Sequence, residues 1–215
     1  MLSSQPFRSA LCRLVTREAC RLVCTIAAAG FFLPLSATAA EPTSRNWLLS
    51  AAGGPSSDGS SAYRISATKP WKRRWFEGGR AHLTGYWEAS IALFENDVDN
   101  VPEDDGTAYL WNVAFAPVLR LQFTLGENGN AAVQPFMDLG AGISFMSDRE
   151  FRTGKQRSRP LGSFFQFEDR GAVGVKIRNW EVAYQRMHYS NLNLASDNFG
   201  IDAHLLLVRR TLRPN

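Results

Sequence analysis

From residue 46 onward the chain is a succession of short segments in which apolar and polar residues alternate, separated by clusters of Gly, Asp, Asn and Ser. The segments are rich in aromatic and β-branched residues, which favour a pleated surface. They fall at about 46–54, 61–71, 82–95, 107–122, 134–146, 162–177, 180–191 and 199–211. Period-two alternation puts one set of side chains on each face of a sheet. Each segment is close to or above the roughly 9–11 residues a tilted strand needs to cross a bilayer.

Two features separate a membrane barrel from a soluble sandwich. Trp47, Trp71, Trp75, Trp87, Trp111 and Trp180 lie near segment ends or first turns, where aromatic girdles sit. The alternation also puts the wrong residues on one face for a dry core. Segment 180–191 carries Glu181, Gln185 and Asn191 on one side and Val182, Tyr184, Arg186, His188 and Ser190 on the other. Segment 82–95 holds Glu88 among apolar neighbours. A polar interior with a lipid-facing exterior accounts for both. The expected fold is therefore all-β, an eight-stranded antiparallel transmembrane β-barrel of the outer-membrane type. Its interior is just wide enough to be filled by side chains, which disfavours a porin. The terminal run Arg209-Arg210-Thr211-Leu212-Arg213-Pro214-Asn215 lacks the aromatic ending common in such barrels.

Residues 1–40 read as a secretory signal peptide that is removed. Arg8, Arg13, Arg17 and Arg21 precede an apolar stretch from Leu22 to Leu35, and Ala37-Thr38-Ala39 offers a small-x-small cleavage site. A membrane anchor is the alternative, but the stretch is shorter than the roughly 20 residues a spanning helix requires. The single barrel domain is then 41–215. The leader holds 4 of the 24 Lys+Arg and 1 of the 20 Asp+Glu, so the remainder is close to neutral at +1. That removes the basic surface a nucleic-acid binder needs. Cys12, Cys20 and Cys24 all lie in the leader, which leaves no disulfide and no thiolate metal site in an exported protein.

With both termini periplasmic, the connections near 55–60, 96–106, 147–161 and 192–198 face the cell exterior. The tight Arg178-Asn179 turn faces the periplasm. His188 to Asn191 then sit at the outer leaflet, with Asp202 near the start of the next strand. His188 and Ser190 share a face, with Cα atoms about 6.6 Å apart. That spacing suits a base activating a serine hydroxyl. Asp202, across the strand pair, is placed to hold the other ring nitrogen. Asn191 offers an amide for an oxyanion. His204 shares a face with Asp202, and Arg186 faces the same way as His188. Either the cation meets a substrate phosphate or it snorkels to the interface.

From Trp47 onward the chain resembles the PagL family of outer-membrane lipid A 3-O-deacylases. The resemblance rests on His188-x-Ser190-Asn191 and Asn198-x-Gly200, with three upstream stretches: Leu83-Thr84-Gly85-Tyr86-Trp87-Glu88-Ala89-Ser90, Pro135 to Ile143, and Phe164 to Gly174. It implies hydrolysis of the ester at position 3 of lipid A, releasing a 3-hydroxy fatty acid. Ser190 would be the nucleophile and His188 the base. The family's glutamate falls on Asp202, and its usual proline before Asn198 is Asp197 here.

Loop 147–161 carries Arg149, Arg152, Lys155, Arg157 and Arg159, and segment 95–105 carries six acids. Both read first as solvated loops; exposed at the outer leaflet, the first could also attract phosphorylated sugars and the second share bridging divalent ions. Its spacing does not match a calcium-binding loop. Gly140-Ala141-Gly142 lacks the third glycine and following helix of a dinucleotide site, and no histidine pair has zinc-ligand spacing. No cofactor and no metal is expected. The expected partner is lipopolysaccharide in a Gram-negative outer membrane, with no nucleic acid; a homodimer is one compatible state. Two other readings compete: a non-catalytic structural barrel, and a different membrane lipid hydrolase.

Overall fold

A computed structural model describes residues 46–77, 79–96, 107–125, 132–152 and 158–212. The expected leader lies outside the described residues, as do most of the acidic cluster, Lys155 and Arg157. Eight strands close into an antiparallel barrel: β1 (Leu48–Pro55), β2 (Ser61–Pro70), β3 (Ala81–Glu95), β4 (Tyr109–Phe123), β5 (Val133–Met146), β8 (Phe165–Ile177), β9 (Trp180–Ser190) and β10 (Ile201–Thr211). Each pairs with its neighbour along the chain, and β1 meets β10 to close the ring. A 3-10 turn, Ser57–Gly59, follows β1. A feature not expected from the pattern is a small hairpin inside the connection between β5 and β8, formed by β6 (Glu150–Arg152) and β7 (Ser158–Pro160).

Alternation decides which face each residue takes. In β4, Leu110, Asn112, Ala114, Ala116, Val118, Arg120 and Gln122 turn inward and are buried, while Trp111, Val113, Phe115 and Leu119 point out. The outward sets together form an apolar wall that includes Ile91, Ile143, Phe145, Val173, Val182 and Leu206. Such a wall is unfavourable in water and favourable in hydrocarbon, where a closed ladder also leaves no unpaired backbone edge. The tryptophans divide. Trp47 and Trp180 stand beside Lys69 and Arg210 at the end where β1 begins and β10 finishes. Trp87 sits well inside β3, stacked on Phe115 at 5.5 Å and edge-on to Trp71.

The interior is layered rather than uniformly polar. At mid-height lie Arg64, Arg120, Arg170 and Arg209 with Glu88, Asp138, Glu168 and Glu181, all buried. Glu88 receives three guanidinium groups: Arg64 at 2.7 Å, Arg209 at 3.2 Å, and Arg170. Arg120 bridges Asp138 (2.7 Å) and Glu181 (2.8 Å), and Arg209 also reaches Glu181 at 3.0 Å. The Tyr86 hydroxyl donates to Asp138 at 2.7 Å and accepts from Arg209. Four cations therefore face four anions, so the network is neutral as a whole. Arg209, from the terminal run that lacks an aromatic ending, is one of its members.

Toward the opposite end, the interior is apolar. Phe94, Leu110, Met146, Met187, Tyr189, Ile201 and Leu205 pack there, capped by Phe151 and Leu161 from the β5–β8 connection. Two arginines expected on an exposed loop are drawn in. Arg152 is buried, and Arg159 is half-buried and bonded to neighbouring loops.

Replacing Glu88 by Ala leaves three buried guanidinium groups short of their shared counter-charge. The expected outcome is a loss of about 3 kcal/mol or more, read as a lowered urea midpoint for the barrel refolded in lipid vesicles.

Candidate active site

Strand β9 sends Glu181, Ala183, Gln185, Met187 and Tyr189 into the barrel, so Val182, Tyr184, Arg186 and His188 face out. The polar residues of interest are therefore not lumenal. They stand on the outer wall, where ionisable groups are unfavourable against lipid and need a reason to be there.

Register assembles them into two rows. Asp169 on β8 opposes His188 on β9, which opposes Asp202 on β10. One step along, Gly171 opposes Arg186, which opposes His204. Directly opposed residues bring their side chains within contact range, and the observed bonds follow. His188 Nδ1 lies 3.0 Å from Asp202 Oδ1. A carboxylate at that distance requires Nδ1 to carry the proton, which leaves Nε2 as the basic nitrogen. Arg186 Nη2 donates to the same oxygen at 3.3 Å. His204 Nδ1 is instead 2.5 Å from the Tyr184 hydroxyl, so it is engaged away from Asp202.

Ser190 lies two residues beyond His188 on the same alternation, at the strand end, and is buried. The chain must then turn sharply. Leu192 and Asn193 take φ of +52° and +61°, and Gly200 takes +61° before β10 begins. Glycine is required at 200 for a second reason. A Cβ there would lie 2.8 Å from the Tyr189 carbonyl oxygen and 3.2 Å from His188 Cε1. The backbone of residue 200 thus forms one wall of the imidazole's seat.

Asn191 occupies a different place from the one expected. Its Nδ2 donates to the carbonyls of Leu161 (2.8 Å) and Asp197 (2.6 Å), and its backbone N–H donates to Asn198 Oδ1 (2.9 Å). All of its donor hydrogens are engaged, so none is left for an oxyanion. The residue is fully buried and ties the β9–β10 loop to the β5–β8 connection.

Beside His188 the outer wall is hollowed into an open groove of about 880 Å³. Pro117, Ala141 and Gly171 form its floor and leave the hollow because they are small or flat. Leu119, Leu139 and Trp71 flank it, and Asp169, Arg186 and His188 close one end. Asp169 is not singled out by the sequence, although a signal is present. In Glu168-Asp169-Arg170 the middle charge must face opposite to the other two, and with Glu168 and Arg170 buried inside, Asp169 faces out. Among the described residues no group of three or more His, Cys, Asp and Glu is placed to hold a metal ion.

Comparisons with known proteins show the family to which the chain belongs. The family model described as Lipid A 3-O-deacylase (PagL) matches residues 61–211. Lipid A deacylase PagL of Pseudomonas aeruginosa is 32% identical over 162 residues, covering 75% of this chain and 84% of the relative. The crystal structure of the outer membrane enzyme PagL superposes with a TM-score of 0.64 at 30% identity, covering 77% of this chain and 99% of the other.

Asn191→Asp sets a carboxylate oxygen against the Leu161 and Asp197 carbonyls. The expected outcome is faster proteolytic nicking of the 147–164 connection while the barrel stays closed, read by limited proteolysis of the refolded protein. An unchanged nicking rate would show that the tether does not hold this loop.

Proposed function

Because the chain belongs to the PagL family, we propose that it is an outer-membrane lipid A deacylase that removes the 3-O-linked acyl chain by serine catalysis. The observation that carries this reading is the His188–Asp202 pair on the lipid-facing wall, one alternation from Ser190. Serine and ester can meet there only if the substrate is itself a membrane lipid. The β9–β10 end is the one with long connections, which in this class of barrel is the outer-leaflet end. Lipopolysaccharide fills that leaflet in a Gram-negative outer membrane.

In the proposed reaction Ser190 Oγ attacks the ester carbonyl and its proton passes to His188 Nε2. Asp202 holds Nδ1–H and stabilises the imidazolium. The tetrahedral intermediate collapses, and the sugar hydroxyl leaves with the proton held by His188. Water then attacks the acyl-serine, with His188 taking its proton, and a 3-hydroxy fatty acid is released as Ser190 is restored. Asn191 acts by positioning the loop rather than by donating to the oxyanion. No resident cofactor takes part in this scheme.

The groove is assigned to the acyl chain. From His188 to Pro117 it crosses three strand spacings, about 14 Å, over a floor without large side chains. Arg186 and Asp169 mark the end at which the polar ester would lie.

Two outcomes test the proposal. Ser190→Ala is expected to lower deacylation by about a thousandfold or more, and Asp202→Ala by about a hundredfold or more. Both should leave the barrel folded. Mass spectrometry of lipid A from cells expressing each variant reads the loss of one 3-hydroxyacyl group. Unaltered lipid A from cells expressing the parent protein points instead to a structural barrel, and parallel release of fatty acid from phospholipid points to a broader lipid hydrolase. Gly171→Leu places a branched side chain in the groove. It is expected to shift the released acids toward shorter chains in gas chromatography, and an unshifted chain profile would remove the acyl chain from this groove.

A further inference from the structure

The acid of the site sits where the regular sheet fails. The β1–β10 ladder runs without interruption from Leu48↔Thr211 to Gly53↔Leu206. At Gly54 the two backbones press together so closely that a Cβ would lie 2.1 Å from the His204 carbonyl oxygen. Beyond it β1 ends at Pro55, and only an isolated bridge, Ser56↔Ala203, continues. In an extended strand the N–H and C=O of one residue point to the same side. Those of Asp202 therefore face the turn after β1 rather than another strand, and an unmade backbone bond there would be unfavourable.

Side chains make those bonds instead. Ser56 Oγ donates to the Asp202 carbonyl at 2.8 Å, and the Asp202 N–H donates to Ser57 Oγ at 3.2 Å. Arg159 Nη1, arriving from β7, donates to Ser57 Oγ at 3.1 Å and to the Gly200 carbonyl at 3.1 Å. A serine oxygen has two lone pairs, which these two donors fill. Arg159 thus holds residue 200 directly and residue 202 through Ser57, on either side of Ile201. Residue 200 is the one whose backbone walls the His188 ring, and residue 202 is the one whose carboxylate holds it. The hairpin carrying Arg159 is itself anchored by Phe151, buried against Phe94.

We propose that Ser57 and Arg159 are positioning residues for the reaction: they fix the backbone from Gly200 to Asp202 and thereby set the reach of the Asp202 carboxylate to His188. The inference rests on the reading of Asp202 as the acid of a serine triad. An aspartate has one rotatable carbon before its carboxyl group, so its backbone must be placed more tightly than that of a longer acid. Two loops far apart in sequence supply that placement.

The test is a set of steady-state measurements on detergent-refolded protein with purified lipid A, each variant first checked for a closed barrel by its heat-dependent gel mobility. Ser57→Ala is expected to lower kcat about fivefold, the weight of one hydrogen bond, with KM within about twofold. Ser57→Thr, which keeps the hydroxyl, restores kcat, and Arg159→Ala lowers kcat as Ser57→Ala does. The decisive comparison is Ser57→Ala in the Asp202→Ala background. There it should have no further effect, because a residue acting through the acid has nothing left to act on. A fivefold loss in both backgrounds would mean a general structural role and overturn the proposal. So would full activity of Ser57→Ala in the parent protein. Full activity of Asp202→Ala would overturn the triad reading, and this inference with it. A loss in Asp202→Ala with none in Ser57→Ala overturns this inference alone.

Discussion

Closing eight strands on one another leaves an interior that side chains must fill and that water cannot easily reach. Every charge turned inward must therefore meet its opposite there, since an unpaired buried ion is far more unfavourable than a paired one. Glu88, gripped by Arg64, Arg170 and Arg209, is the centre of that arrangement, and the matching of four cations to four anions follows from it. The middle is occupied by this network and one end is packed by Phe94, Leu110, Tyr189 and their neighbours, so the described residues fill the interior with side chains. The remaining face of each strand is the outer one. The site's placement on the lipid side is thus a consequence of how the inside is filled.

A site on the outer wall has its own physics. Its ionisable groups lie beside hydrocarbon and must be held by one another and by the backbone. Register does part of this, setting Asp202 opposite His188 and His188 opposite Asp169. The rest comes from loops. Asn191 joins the β9–β10 loop to the β5–β8 connection, while Ser56, Ser57 and Arg159 hold the start of β10. The connections at this end are therefore part of the site's framework, and the arginines that resemble a solvated basic patch in sequence are partly structural bolts.

Much of the fold is legible in the sequence alone. Period-two alternation located all eight barrel strands to within a few residues, because a strand in a closed sheet must divide its side chains between two unlike solvents. The same alternation placed His188 and Ser190 on one face and put Asp202 within reach. Less legible was anything that depends on two distant loops meeting. The β6–β7 hairpin consists of three-residue strands too short to leave a pattern. The burial of Arg152 and Arg159 depends on what lies over them, and the donors of Asn191 are engaged by carbonyls at residues 161 and 197, which no local spacing reveals.

The sequence by itself determined the strand count, the alternation and the neighbours of the His-x-Ser pair, since these follow from local periodicity and short turns. Which of the two faces looks at lipid was decided only in three dimensions. The polar set Glu181, Gln185 and the chemical set His188, Ser190 are equally plausible as lumen lining when read along β9 alone. The choice falls out when Glu181 finds Arg120 and Arg209 across the barrel, because a charge can enter that interior only where its partner is already waiting.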